Sequence, residues 1–373
     1  MSFKEIFCQD RAVSVLRRGF DAGRSSHAYI FFGRDGVGKY KTACCWAKLA
    51  LCHGAVRDDD GLSESCGSCE SCRQFEAGAH PDFEHIYKEL VEFTEKGKGK
   101  KTPLDLPIDV VREFLVARVS VKPSVSQRRV FVVSEAERLN TASQNSLLKA
   151  LEEPPDYCTI ILLCTRPDKL LATVKSRCQA VRFGPVSEDV ILARLKSMGL
   201  SDESSLYFSR LSDGSLGLAC RLADLELGGV KFYEGKKEIL SSLSDFNYAD
   251  SLRLAGFVGQ LGKSFSAGWV KLEPETSRKD IKRRVNRTVL QIFISVLHDA
   301  IRVCIGEDKG LTNSDQAECV RVLAERFGLE SAAEKTADCY RAIRRLESNV
   351  NERLIFEQLL LSLVKNGKMN SLR

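Results

Sequence analysis

The chain contains no run of eighteen apolar residues, so no segment of it reads as a membrane-crossing helix. The opening stretch, MSFKEIFCQD, lacks the apolar core of a secretory signal, and a cytoplasmic location is expected. No internal repeat is evident, which argues against a repeat architecture. A strong charge of one sign is missing too. Lys plus Arg number 56 against 50 Asp plus Glu, an excess of six that is compatible with a nucleic-acid partner without demanding one. What is present is ordinary in bulk: 373 residues, enough for two or three domains, 43% hydrophobic and 28% charged. The exception is cysteine, of which there are fourteen. In a cytosolic chain, clustered cysteines point to metal ligation rather than a disulfide framework. Isolated ones in apolar surroundings, such as Cys158, Cys164 and Cys220, read as core residues.

The first half alternates short apolar runs with helical patterns, which predicts an α/β unit with a parallel sheet. Three runs read as buried strands: Ala28 to Phe32, Val130 to Val133 and Thr159 to Cys164. Between the last two, NTASQNSLLKALEEPP predicts a helix capped by Asn140 or Thr141. Leu147, Leu148 and Leu151 would form its apolar face, and Pro154-Pro155 would end it. Beyond about residue 184 the pattern turns all-helical. Val285, Val289, Ile292, Val296 and Leu297 mark one periodic segment; Ile343, Leu346, Val350 and Leu354 mark another. Gly228-Gly229 is a plausible joint between a small helical domain and a larger one. EKGKGKK (Glu95 to Lys101) reads as a solvated loop, and SRKDIKRRVNR (Ser277 to Arg287) as a solvated helix face, in each case in preference to a DNA contact.

The stretch GRDGVGKY, Gly33 to Tyr40, follows a strand and precedes a helical run, which is where a phosphate-binding loop belongs. The glycines, Gly33, Gly36 and Gly38, would let backbone N–H groups wrap phosphate, and Lys39 would reach its terminal oxygens. A metal-dependent hydrolase also needs a small hydroxyl after the lysine and an aspartate at the end of the next core strand. Here Tyr40 and Ser134 stand at those places, with Glu135 beside the second and able to orient a water. ATP or ADP could be held without a productive Mg²⁺ site. Weak or absent ATPase activity is expected.

Cys66, Cys69 and Cys72 form CGSCESC, with Cys52 thirteen intervening residues upstream. Two CxxC spacings and a fourth thiol suit a closed tetrahedral structural zinc site. His53 and His80 compete for the fourth place, as do Cys44 and Cys45, which lie within a helical run and are expected to pack instead. A redox role for the CxxC pairs is disfavoured.

Together, the near-phosphate loop, Cys…CGSCESC…HPDF, ASQNSLLKALEEPP and LLATVKSRC resemble the bacterial clamp-loader AAA+ subunits of DNA polymerase III. The likeness runs from Phe3 to about Phe183. It continues more weakly through DGSLGLACRL and VNERLIFEQLLLSL. It implies a RecA-like AAA+ domain with a zinc-binding insertion (1–184, the zinc module at about 52–80), a small helical lid domain (185–228) and a helical C-terminal collar domain (229–373). The spacing from Cys52 to Cys66 looks longer than the family's, and the inserted RDDDGLSE is expected to loop out.

The family's arginine finger matches Arg177 in Ser176-Arg177-Cys178, which would act on a nucleotide held by a neighbour. Thr165 matches the first nucleotide sensor, and Gly217 stands where the second sensor's arginine is usual. An intact finger beside a degenerate site is the delta-prime pattern. The partners this implies are gamma/tau-like and delta-like subunits in a hetero-pentamer, a sliding clamp and, through the complex, primed DNA. The alternatives are an active gamma/tau-type ATPase, against which the lack of a long extension beyond the collar also weighs, and a zinc-dependent DNA-binding or assembly protein that uses no nucleotide.

Overall fold

The computed structural model of the chain describes residues 1–96, 103–244, 251–346 and 351–364. Most of the glycine–lysine loop (residues 97–101) and Val350 lie outside the described residues. The chain divides into two compact units. One comprises Met1–Val190 with Gly214–Gly217, the other Ile191–Asp213 with Leu218–Arg373.

The first unit is built on strands β1 (Ala28–Phe32), β4 (Phe83–Ile86), β5 (Arg129–Val133), β6 (Cys158–Cys164) and β7 (Gln179–Arg182). Their order across the sheet is β4-β5-β6-β1-β7, and every pairing is parallel. The strand before the phosphate loop thus lies between β6 and β7. A separate hairpin pairs β2 (Val56–Arg57) with β3 (Ser63–Glu64).

All residues of β5 and β6 are buried, because the sheet is covered on both faces. Side-chain alternation divides them between two cores. Ile30, Phe131, Val133, Ile160 and Leu162 join one; Tyr29, Phe31, Val130, Val132, Ile161 and Leu163 join the other. The edge strands β4 and β7 are more exposed and more polar, with only Val181 buried in β7, so neither announces itself as an apolar run. The helix Thr141–Glu152 begins at Asn140, whose side chain accepts from the Ser143 N–H at 2.8 Å. It buries Leu147 and Leu151, half-buries Leu148, and ends before the two prolines.

The described residues of the second unit form helices and connecting turns only. On the helix Arg278–Cys304, Val285, Val289, Ile292, Val296 and Leu297 are all buried. The other periodic stretch is not one helix: Asn351 is not helical, and Glu352–Val364 begins after it. Leu354 is 58% exposed, and the buried face of that last helix is Ile355, Phe356, Leu359, Leu360 and Leu363. Gly228-Gly229 falls between the helices Leu216–Leu227 and Phe232–Ser244. The basic run is an ion-paired helix face, with Arg284 on Glu273 at 2.6 Å and Lys282 on Glu352 at 2.7 Å. Cys158 and Cys164 are buried, and Cys220 is half-buried. No described helix is long and apolar enough to cross a membrane.

Candidate functional site

The loop after β1 places Gly38 at φ +103°, a left-handed conformation that favours glycine, at the start of the helix Lys39–Leu51. Lys39 follows it, with its ammonium turned back into the loop. Nζ donates to the carbonyls of Gly33 at 2.8 Å and Arg34 at 2.5 Å. Burial lowers its pKa, opposed by the charges of Asp35 and Glu137. Gly217 closes the loop from the other side: its N–H donates to the Gly36 carbonyl at 2.8 Å. A Cβ at 217 would come within 2.9 Å of the Gly36 Cα, so the missing side chain is also a condition of this contact.

Tyr40 and Ser134, read separately from the sequence, belong to one structure. The Tyr40 hydroxyl lies 3.4 Å from His85 Nδ1, and the rings are 4.6 Å apart; His85 Nε2 lies 2.8 Å from Ser134 Oγ. Burial pushes the His85 pKa down to about 4, so the imidazole is neutral at physiological pH and can donate through one nitrogen while accepting through the other. Glu135 is engaged as well, on Lys88 at 3.2 Å and Arg138 at 2.9 Å, which leaves it poorly placed to orient a water. The exposed Thr165, expected to be the first sensor, donates to Glu137. A phenol, an imidazole and a serine hydroxyl do not fit the hard divalent cation that accompanies a nucleotide in this fold. His85 and Glu137 carry no motif; only their proximity in the fold reveals them.

The cysteine cluster has the opposite character. The sulfurs of Cys52, Cys66, Cys69 and Cys72 all lie within 4.8 Å of one another. Cys52 follows the helix Lys39–Leu51, and Cys69 caps the helix Glu70–Glu76, its sulfur accepting from the Cys72 N–H at 3.4 Å. The Cys69 N–H in turn donates to Cys66 Sγ, and the Cys66 N–H to Cys52 Sγ, each at 3.4 Å. Backbone N–H groups of Ser68 and Cys69 hold the Cys66 thiol down to about 6, which favours the thiolate that a metal binds. This donor set fits a tetrahedral zinc ion.

The competing ligands are engaged elsewhere. His80 Nδ1 accepts from the Asp82 N–H at 3.1 Å, and its Nε2 lies 3.0 Å from Ser71 Oγ. His53 Nε2 lies 3.1 Å from the Val125 carbonyl. Cys44 and Cys45 are packed in a helix, where burial pushes their thiols up to about 11 and about 12. The insertion does not simply loop out. It contains the β2–β3 hairpin, pinned by the buried Arg17, which pairs with Asp58 at 2.6 Å and donates to the Ser63 carbonyl at 2.8 Å.

Arg177 follows the short helix Ala172–Lys175 and precedes β7, with about a third of its side chain (34%) exposed. Nη1 donates to the Thr173 carbonyl at 2.9 Å, and Nη2 pairs with Glu152 Oε1 at 2.7 Å. Cys178, next in the chain, is half-buried against the core, and burial raises its thiol to about 12.

Two family models match the chain: DNA polymerase III, delta subunit, over residues 8–187, and its C-terminal counterpart over residues 270–365. The chain is 24% identical to DNA polymerase III subunit delta' of Bacillus subtilis over 97% of its own length and 98% of that protein's. To subunit delta' of Escherichia coli it is 32% identical, over 56% of this chain and 57% of the relative. It is 29% identical to subunit tau/gamma of Haemophilus influenzae over 66% of its own length, spanning 34% of that longer protein.

Proposed function

Since the chain belongs to the DNA polymerase III delta-subunit family, homologous to delta-prime and related to gamma and tau, we propose that it completes a neighbouring subunit's ATP site instead of running its own. The complex is the clamp loader, with gamma/tau-like and delta-like subunits as partners, and its task is to place a sliding clamp on primed DNA. The observation that carries this reading is the pairing of a partly exposed Arg177 with a phosphate loop whose lysine is bonded to its own carbonyls.

On this reading Arg177 contributes positive charge where phosphoryl charge builds on the neighbour's nucleotide, a role worth about 10³–10⁵ in rate where an arginine finger is essential. Lys39, Tyr40, His85 and Ser134 hold the chain's own loop shut. Cys52, Cys66, Cys69 and Cys72 bind a structural zinc that closes the insertion onto the domain. The active-motor alternative is disfavoured by the filled cation position. A protein indifferent to nucleotide in every subunit would leave Arg177 only its ion pair with Glu152.

The test is ATP turnover by the reconstituted complex. Arg177→Ala should abolish hydrolysis at the adjoining site while the complex still assembles. Unchanged turnover there, or robust Mg²⁺-dependent turnover by the isolated chain, would overturn the proposal.

A further inference from the structure

Glu152 occupies a position that local preference does not explain. It is the last residue of the helix Thr141–Glu152, where the partial negative charge of the helix end disfavours a carboxylate. The preference is offset by the Arg177 guanidinium, 2.7 Å away. The pair joins two elements that are themselves stapled together. Gln144, buried within the helix, donates through Nε2 to the carbonyls of Leu139 at 2.9 Å and Lys169 at 3.2 Å. Its Oε1 accepts from the Leu171 N–H at 2.7 Å, just before the short helix that leads to Arg177. Leu147 and Leu151 anchor the Glu152 side of the same helix in the core.

An arginine presented to a neighbour's phosphate needs a fixed plane as well as a charge, because a free side chain loses rotamer entropy when it is immobilised. Here one arm of the guanidinium is held by the Thr173 carbonyl and the other by Glu152. Nη1 also lies 3.4 Å from the Ser176 hydroxyl. A guanidinium carries five N–H donors, and those three contacts leave donors over for an anion.

We propose that Glu152 is the positioning residue of Arg177: it fixes the guanidinium plane before the neighbouring ATP site docks, while the remaining donors face the incoming phosphate. This rests on the reading of Arg177 as an arginine finger. Glu152 touches no substrate, so its effect is confined to the rate of the step that Arg177 assists.

The experiment measures single-turnover ATP hydrolysis at the adjoining site in the fully reconstituted complex, using Glu152→Ala, Glu152→Gln, Arg177→Ala and the double variant Glu152→Ala/Arg177→Ala. Glu152→Ala should lower the rate about three- to five-fold, the size expected for an exposed ion pair. ATP affinity, complex assembly and melting temperature should not move. Glu152→Gln, which keeps an acceptor, should recover part of the loss, and the double variant should be no slower than Arg177→Ala alone.

Glu152→Ala at the wild-type rate would overturn the proposal, as would losses that multiply in the double variant. If Arg177→Ala is inactive while Glu152→Ala is unaffected, the finger reading stands and the positioning role falls. If Arg177→Ala itself is unaffected, both fall.

Discussion

The phosphate loop turns its polar groups on itself, whereas the cysteine cluster turns its donors on a common point. Lys39 is bonded to the Gly33 and Arg34 carbonyls, the Gly36 carbonyl is taken by Gly217, and Tyr40 and Ser134 share His85. The four cysteine sulfurs have no comparable sink. Their neighbours are one another and the N–H groups of their own turns. Both regions descend from short sequence motifs, and both sit at the ends of the helix Lys39–Leu51. A motif supplies donors; what they do depends on whether the surrounding fold leaves them an unmet partner.

If that contrast holds, removing a group should hurt most where the donors are waiting for something outside the chain. Cys69→Ser should therefore have the largest effect. It would take away a zinc ligand, while the serine hydroxyl could still cap the helix Glu70–Glu76, so the loss reports on the metal. Structural zinc sites contribute about 10–16 kcal/mol of folding energy in small zinc-finger peptides, and a sizeable part of that should be lost here. Melting curves should show the first unit destabilised, with the helices of the second unit persisting. Metal analysis should give one zinc per wild-type chain and less in the variant. A chain that carries no metal, and whose melting ignores a chelator, would erase the contrast.

A smaller effect is expected at His85, whose pKa is depressed by burial to about 4 against an ordinary value near 6.5. Between those values the unfolded chain takes up a proton that the folded chain refuses. The stability is thus fully present above about pH 6.5 and is lost as pH falls towards 4, by up to about 3 kcal/mol. His85→Asn removes this group's share of the slope. Denaturant titrations should therefore show the variant less penalised, relative to wild type, at pH 5 than at pH 7. His80 and His298 are also lowered by burial, but both are present in each protein, so the difference isolates His85. Parallel pH curves would mean that the imidazole is not sealed between Tyr40 and Ser134.

Much of this was legible in the residues, and the illegible parts share a cause. β1, β5 and β6 stand out because burial on both faces demands unbroken apolar runs. β4 and β7 do not, since edge strands keep polar residues that look like loop. The cysteines cluster where their spacing says they should, because two-residue gaps constrain geometry locally. His85 could not be read in this way: it reaches Tyr40 across 45 positions and Ser134 across 49. Glu152 and Arg177 likewise meet only through the packing of two elements. Leu354 fits a helical period that is broken at Asn351, where a new helix starts at Glu352, so a correct spacing gave a wrong face.

The smallest expected effect is the sharpest test of the phosphate loop. In a working motor, the loop lysine binds the nucleotide's terminal phosphates, and its removal abolishes turnover. Here Lys39 holds the loop's own carbonyls, so Lys39→Ala in the reconstituted complex should change ATP hydrolysis by less than about two-fold. The isolated chain should lose only about 1 kcal/mol of stability, the usual net value of hydrogen bonds that water can replace. Arg177→Ala in the same complex is the internal standard, because it leaves the loop untouched. A loss for Lys39→Ala as large as for Arg177→Ala would mean that the loop opens to a nucleotide during the cycle. The inward-turned lysine would then be a resting state of a working site, and the contrast with the cysteine cluster would be one of timing instead of kind.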